Sequence, residues 1–202
     1  MGIIVHYDNH GTAERSRYGY HTTDYPKLDQ VQNLISAISA WIAGISILAL
    51  AVVTLAEIFF REFFSHPLGW NISLTEKYLL PLIAFFGFIT AYRTGSHIAV
   101  ETVFSKLPLR LQKLVLLAIH VIALISLIFL FIGGLNETLL AYSLNQRVLP
   151  GMADLPFYDW TYRIIVPVSA FMCALIVAID IYREIASPWH RPFTDYDPGE
   201  EN

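Results

Sequence analysis

Charged residues are scarce in the apolar stretches of this chain, and the few that interrupt them are placed to do chemistry. Glu57 and Arg61 stand four apart, whereas Glu76 and Arg93, and likewise Arg163 and Asp180, stand 17 apart. At the centre of a membrane helix each such charge costs about 2.5–3.5 kcal/mol, so it must snorkel, pair or line a pathway. Glu57 and Arg61 fit one helical turn and can satisfy each other; a Glu57 left alone would instead suit a proton site. Seventeen residues of helix rise about 25 Å, which sets Glu76 and Arg93 at opposite ends of one span and Arg163 and Asp180 at opposite ends of another. If those spans run the same way, Glu76 meets the level of Arg163 and Arg93 that of Asp180, with complementary signs at both. The same 17 residues leave a rotation of about 100°, so one direct pair is expected rather than two, against the alternative that each charge snorkels separately.

Other chemistry is thinly represented. His120 is the one histidine inside an apolar run. A haem between helices needs a second, facing histidine, and His66 and His97 fall at opposite interfaces, so His120 reads as a hydrogen-bonded neutral imidazole. The single cysteine, Cys173, permits neither an internal disulfide nor a thiolate metal site. Glycine-rich phosphate loops, nucleophile elbows and metal-ligand spacings are missing, and nothing suggests nucleic-acid binding. Gly133-Gly134 suits close helix packing. The expectation is a chain without catalytic, cofactor-binding or metal-binding residues, and not an enzyme.

The elements that must carry these charges are membrane helices. Of 202 residues 55% are hydrophobic and 15% charged, and the mean hydropathy is +0.50; a soluble domain carries about a quarter charged residues. Four apolar runs, Leu34–Ala56, Tyr78–Tyr92, Leu114–Asn136 and Ile164–Ile179, stand out. A span needs about 20 residues, and flanking charges that snorkel lengthen the two short runs. The predicted helices cover 34–60, 73–94, 113–136 and 160–183. Pro81 and Pro167 predict local kinks rather than breaks. Ser36, Ala40 and Gly44 form a small-residue ladder that would let another helix come close.

Residues 1–30, polar and rich in Tyr and His, read as a loosely ordered tail; 31–186 form the membrane domain, and 187–202 an acidic tail. The start, MGIIVHYDNHG, has no basic region before an apolar core, so a cleaved signal peptide is not expected. Lys and Arg set the orientation. Nine lie on the side shared by both termini and the 93–113 connection, and four on the other, so both termini are expected in the cytoplasm. Trp70 and Trp160 then mark the outer interface and Trp189 the inner one. Asn136, Glu137, Asp154 and Asp159 make the outer 136–160 connection acidic.

The connection from Arg93 to Pro108, RTGSHIAVETVFSKLP, is too polar to span. Val100, Val103, Phe104 and Leu107 nevertheless fall on one helical face, which predicts a short amphipathic helix lying in the interface between helices 2 and 3. The fold class is thus an all-α membrane protein with four transmembrane helices and one interfacial helix.

Arg93-x-Gly95-x-His97-Ile98-x-Val100-Glu101, followed by Leu107-Pro108, resembles the signature of the small membrane subunit, the DctQ-like small permease, of tripartite ATP-independent periplasmic (TRAP) transporters. Arg61-x-x-Phe64-x-x-Pro67-Leu68-x-Trp70, Phe86-Gly87 and Val166-Pro167-Val168 fit the same family, and the likeness runs from about Leu34 to Arg183. In one departure, five residues separate Trp70 from Glu76, and Lys77 stands where family members place a second acid. The resemblance implies a scaffold in the bacterial or archaeal inner membrane. It embraces a large TRAP membrane subunit that performs sodium-coupled uptake of a small organic acid. A periplasmic substrate-binding protein, a transient partner, delivers the substrate. No catalytic residue carries over. Arg61, Trp70, Glu76, Arg93, Gly95, His97, Pro108, Arg163 and Asp180 enter as signature or structural positions. Two other readings compete. One is a haem- or quinone-associated anchor of a respiratory enzyme, and the other an autonomous small ion-coupled transporter using Glu57.

Overall fold

The computed structural model describes residues 3–8, 11–12, 14–95, 107–147, 155, 157–187 and 194–197. Four helices in it are long and apolar enough to cross a membrane: α1 (Pro26–Phe64), α2 (Asn71–Arg93), α3 (Leu109–Ser143) and α4 (Trp160–Ala186). The expected interfacial helix around Val100–Phe104 lies outside the described residues, as do His97, Asp154 and Trp189.

Two of the helices outrun their predicted bounds. α1 has 39 residues and α3 has 35; α1 starts earlier because Asp29 is buried within it, whereas both helices run on at their C-terminal ends past charges that stay exposed, Arg61 and Glu137. Pro26 presets the backbone at the first helical position, where no donor is needed, and Asp29 in the first turn is fully buried. Lys113 near the start of α3 is buried too, its ammonium donating to the Ser187 hydroxyl at 2.9 Å. Some hydroxyls within the spans return to their own helix: Ser46 donates to the Ile42 carbonyl and Thr54 to that of Leu50, both at 2.8 Å, while Thr90 on α2 donates to the Ser36 carbonyl of α1 at 3.1 Å. That satisfies them where water is absent.

Both prolines leave a local mark. Pro81 has no N–H for the Lys77 carbonyl, and the turn ahead of it, Thr75–Leu79, widens into a π-turn. Single π-turns absorb such a mismatch without ending a helix. Pro167 cannot donate to the Arg163 carbonyl, and α4 is interrupted at Ile164, between Trp160–Arg163 and Ile165–Ala186. α2 ends where Gly95 takes a left-handed φ of 68° and its N–H reaches the Tyr92 carbonyl, the conformation glycine adopts most cheaply beyond a helix C-terminus. α3 opens on the Pro108 carbonyl, which accepts from Leu111 at 2.8 Å and Gln112 at 3.0 Å.

The chain forms two compact units, one of Met1–Ile38, Phe88–Ile128 and Met172–Asn202, the other of Ser39–Gly87 and Phe129–Phe171. In the first unit the N-terminal region is not the loose tail its composition suggests. Strand β1 (Ile3–Asp8) pairs antiparallel with β2 (Gly11–Thr12) and with β5 (Thr194–Asp197) near the C-terminus. Next comes a hairpin of β3 (Glu14–Ser16) and β4 (Gly19–His21). In the second unit α3 and α4 meet at Gly134, where a Cβ would stand 2.9 Å from Pro167 Cδ. At Gly133 a Cβ would meet nothing within 4 Å, so only one glycine of the pair serves packing.

The small-residue ladder on α1 is placed differently from the expectation. Ser36 is buried, but Ala40 is half-buried and Gly44 exposed. Apart from Glu57, the buried positions are Asp29, Gln32, Ser36, Ser39, Ala43 and Ser46, which alternate by three and four along the helix. The inward face of α1 is made of small and polar residues, though others, Gly44, Ala51 and Thr54 among them, lie outside it.

Candidate functional site

The densest chemistry of the described residues is a buried ionic network in the first unit. Asp29 sits at its centre. Its Oδ1 accepts a hydrogen bond from Arg93 Nη2 at 2.8 Å and lies 2.8 Å from Arg183 Nη1. Its Oδ2 accepts from the Thr22 N–H at 2.7 Å and the Thr22 hydroxyl at 2.6 Å. All three ions are almost completely excluded from solvent.

Secondary structure places them well. Asp29 lies in the first turn of α1, Arg93 in the last turn of α2 and Arg183 in the last turn of α4. An anion at a helix N-terminus and cations at helix C-termini are each favoured by the backbone dipole. The fold thus brings one positive helix end and two negative ends to a single cluster that neutralises all of them.

Neighbouring groups complete the network. Arg93 Nε donates to Asn33 Oδ1 at 3.1 Å, and Arg93 Nη2 to the Tyr20 carbonyl at 3.3 Å. That carbonyl also accepts from Asn33 Nδ2 at 2.9 Å. The Tyr20 hydroxyl donates to the Thr94 carbonyl at 3.2 Å, and its ring lies 5.8 Å from the Arg93 guanidinium. Gly19 is needed where it stands, since a Cβ there would fall 2.2 Å from Asn33 Oδ1. Asp180 is a second buried acid and accepts from Gln32 Nε2 at 2.8 Å.

These contacts correct the pairing drawn from spacing. Arg93 takes Asp29, and Asp180, close enough to act on Arg93 electrostatically, takes Gln32. The reason is the helix phase and an acid outside the predicted span. In the second unit Arg163 pairs with Glu137 at 2.9 Å and with Asp159 at 3.8 Å, while Glu76 is exposed. No ion pair joins Glu76 to Arg163 among the described residues. α2 and α4 do meet in that unit, through Tyr78 OH and Thr161 Oγ1 at 2.6 Å.

Glu57 and Arg61 pair at 2.9 Å as their spacing implies. Glu57 Oε2 also accepts from the Leu68 N–H at 2.8 Å, pinning the turn after α1. Trp70 and Arg61 are exposed. His120 Nδ1 lies 2.7 Å from the Leu116 carbonyl and its ring meets Tyr92 edge-on at 6.4 Å. Among the described residues no three His, Cys, Asp or Glu side chains are grouped to hold a metal ion.

Sequence reasoning missed Asp29, Gln32, Asn33 and Tyr20, all ahead of the first uncharged run. The three-four alternation of polar residues from Asp29 to Ser39 was the available signal.

Residues 50–187 match the family described as tripartite ATP-independent periplasmic transporters, DctQ component. This chain belongs to that family. A protein of Haemophilus influenzae, provisionally named a TRAP transporter small permease protein, is 26% identical over 144 residues, covering 69% of this chain and 84% of that protein. No solved structure matches. As a DctQ component the chain is a non-enzymatic part of a TRAP system, a multi-pass protein of the inner membrane that works with other TRAP subunits. Arg93, Asp180 and Arg183 of the ionic network fall inside the DctQ match, and Tyr20, Thr22, Asp29, Gln32 and Asn33 fall before it.

Proposed function

We propose that this DctQ chain is the fixed scaffold for the large membrane subunit in sodium-coupled uptake of a small organic acid, which a periplasmic binding protein delivers. Both termini are cytoplasmic in this reading, as the Lys and Arg distribution favours. The observation that carries it is the use made of the buried charges. Asp29, Arg93 and Arg183 join the ends of three helices, and Glu57 holds a loop. Charges spent on joints suit a part that holds its shape while another subunit moves. The acidic residues Glu137 and Asp159 already serve Arg163, so any docking of the binding protein there shares them with an internal joint.

Reconstitution tests this. Proteoliposomes holding this chain and the large subunit, supplied with the binding protein and a sodium gradient, should take up an organic acid from a panel. Vesicles with this chain alone should not. Gradient-driven uptake by the chain alone would overturn the scaffold reading in favour of an autonomous transporter at Glu57.

A further inference from the structure

The network around Asp29 leaves some of its own polar atoms unused. Arg93 Nη1, Gln32 Oε1 and Ser36 Oγ meet no hydrogen-bond partner, and the residues that bear them are at most 1% exposed. They belong to one place. Gln32 and Ser36 are one turn apart on the inward face of α1. Gln32 Nε2 donates to α4, at the Ile176 carbonyl (3.0 Å) and at Asp180 Oδ1 (2.8 Å). The Ser36 carbonyl accepts from Thr90 Oγ1 on α2 at 3.1 Å, a turn before Arg93. Arg93 in turn reaches back to α1 through Asn33 and Asp29.

The contacts already made fix which atoms are left. Both partners of the Gln32 amide are acceptors, so its nitrogen must face them and Oε1 turns away. Arg93 gives Nε to Asn33, and Nη2 to Asp29 and the Tyr20 carbonyl, which leaves Nη1. The Ser36 hydroxyl does not return to the carbonyl four residues back, as those of Ser46 and Thr54 do.

Buried polar groups are almost always hydrogen-bonded, to protein or to ordered water. The three atoms select among ligands. Arg93 Nη1 can only donate, Gln32 Oε1 can only accept, and the Ser36 hydroxyl can do either. A metal cation here would face a guanidinium. An anion would face the Gln32 oxygen, with the Asp180 carboxylate on the far side of the same amide. Water donates and accepts at once, and a buried water makes about three hydrogen bonds.

We propose that Arg93 Nη1, Gln32 Oε1 and Ser36 Oγ hold an ordered water between α1, α2 and α4. It completes a chain from Arg93 through the water and Gln32 to Asp180, so the two charges are linked indirectly.

Two measurements test this. In a density map of the assembled transporter that shows waters elsewhere in its core, a peak should stand within about 3.2 Å of both Arg93 Nη1 and Gln32 Oε1. No peak there overturns the proposal, and so does one that contacts Arg93 but stands off Gln32, the mark of an anion. Ser36→Ala gives the second test, read as the melting temperature of the full chain in detergent. Removing a buried hydroxyl that bonds nothing should raise it, whereas removing one that holds a water should lower it. The expected fall is about 2–4 °C beyond that of Ser46→Ala, whose hydroxyl bonds only its own helix. A rise, or a fall no larger than that of Ser46→Ala, overturns the site.

Discussion

Asp29 accepts from Arg93 and from both donors of Thr22, and it lies against Arg183. Its loss leaves two buried guanidiniums facing each other. Removing one partner of a buried pair costs about 3–5 kcal/mol, so Asp29→Ala should lower stability by that order in detergent unfolding, and Asp29→Asn by less. In a double-mutant cycle, Asp29→Ala with Arg93→Met should cost less than the two single changes together. Strict additivity would mean the two residues do not interact. The glycines give a second contrast. Gly134→Leu forces side-chain atoms into Pro167, an overpacking worth about 1–3 kcal/mol, while Gly133→Leu should stay within about 0.5 kcal/mol.

At the scale of elements, the hairpin of β3 and β4 is a working part of the fold. It carries Tyr20 onto Arg93 and the Thr94 carbonyl, and the segment after it gives Thr22 to Asp29. Deleting residues 1–25 should speed amide hydrogen exchange in the last turns of α2 and α4 and leave the middle of α3 unaltered. Equal exchange in both forms would make the hairpin a bystander. The number of helices was legible because the runs Leu34–Ala56 and Leu114–Asn136 are long enough to span on their own and the two short runs become so once flanking charges snorkel. Their ends were not. A terminal charge closes a span in a local reading, yet here Asp29 is neutralised by arginines dozens of residues away and α1 runs on through it. Arg93 and Asp180 stood out in the sequence, but their spacing left open whether they pair with each other, and the structure gives Arg93 to Asp29 and Asp180 to Gln32. Spacing gives the level of a charge along the helix axis, while partner choice depends on phase and on residues outside the span. The signature glycine and proline were better marked, since Gly95 ends α2 and Pro108 opens α3 by backbone properties that belong to those residue types.

For the whole molecule, the central claim is that a DctQ chain uses its buried charges to keep shape, and that movement of substrate and sodium belongs to other subunits. Function should then follow the amount of assembled transporter and nothing finer. The direct measurement is sodium-driven uptake per assembled transporter, with variants at Asp29, Arg93 and Glu57 in the complete system and the assembled complex quantified in each preparation. The account predicts that assembly falls while uptake per complex, and its dependence on sodium, stay at the unaltered value. A variant that assembles fully yet takes up nothing, or whose sodium dependence shifts, would contradict it.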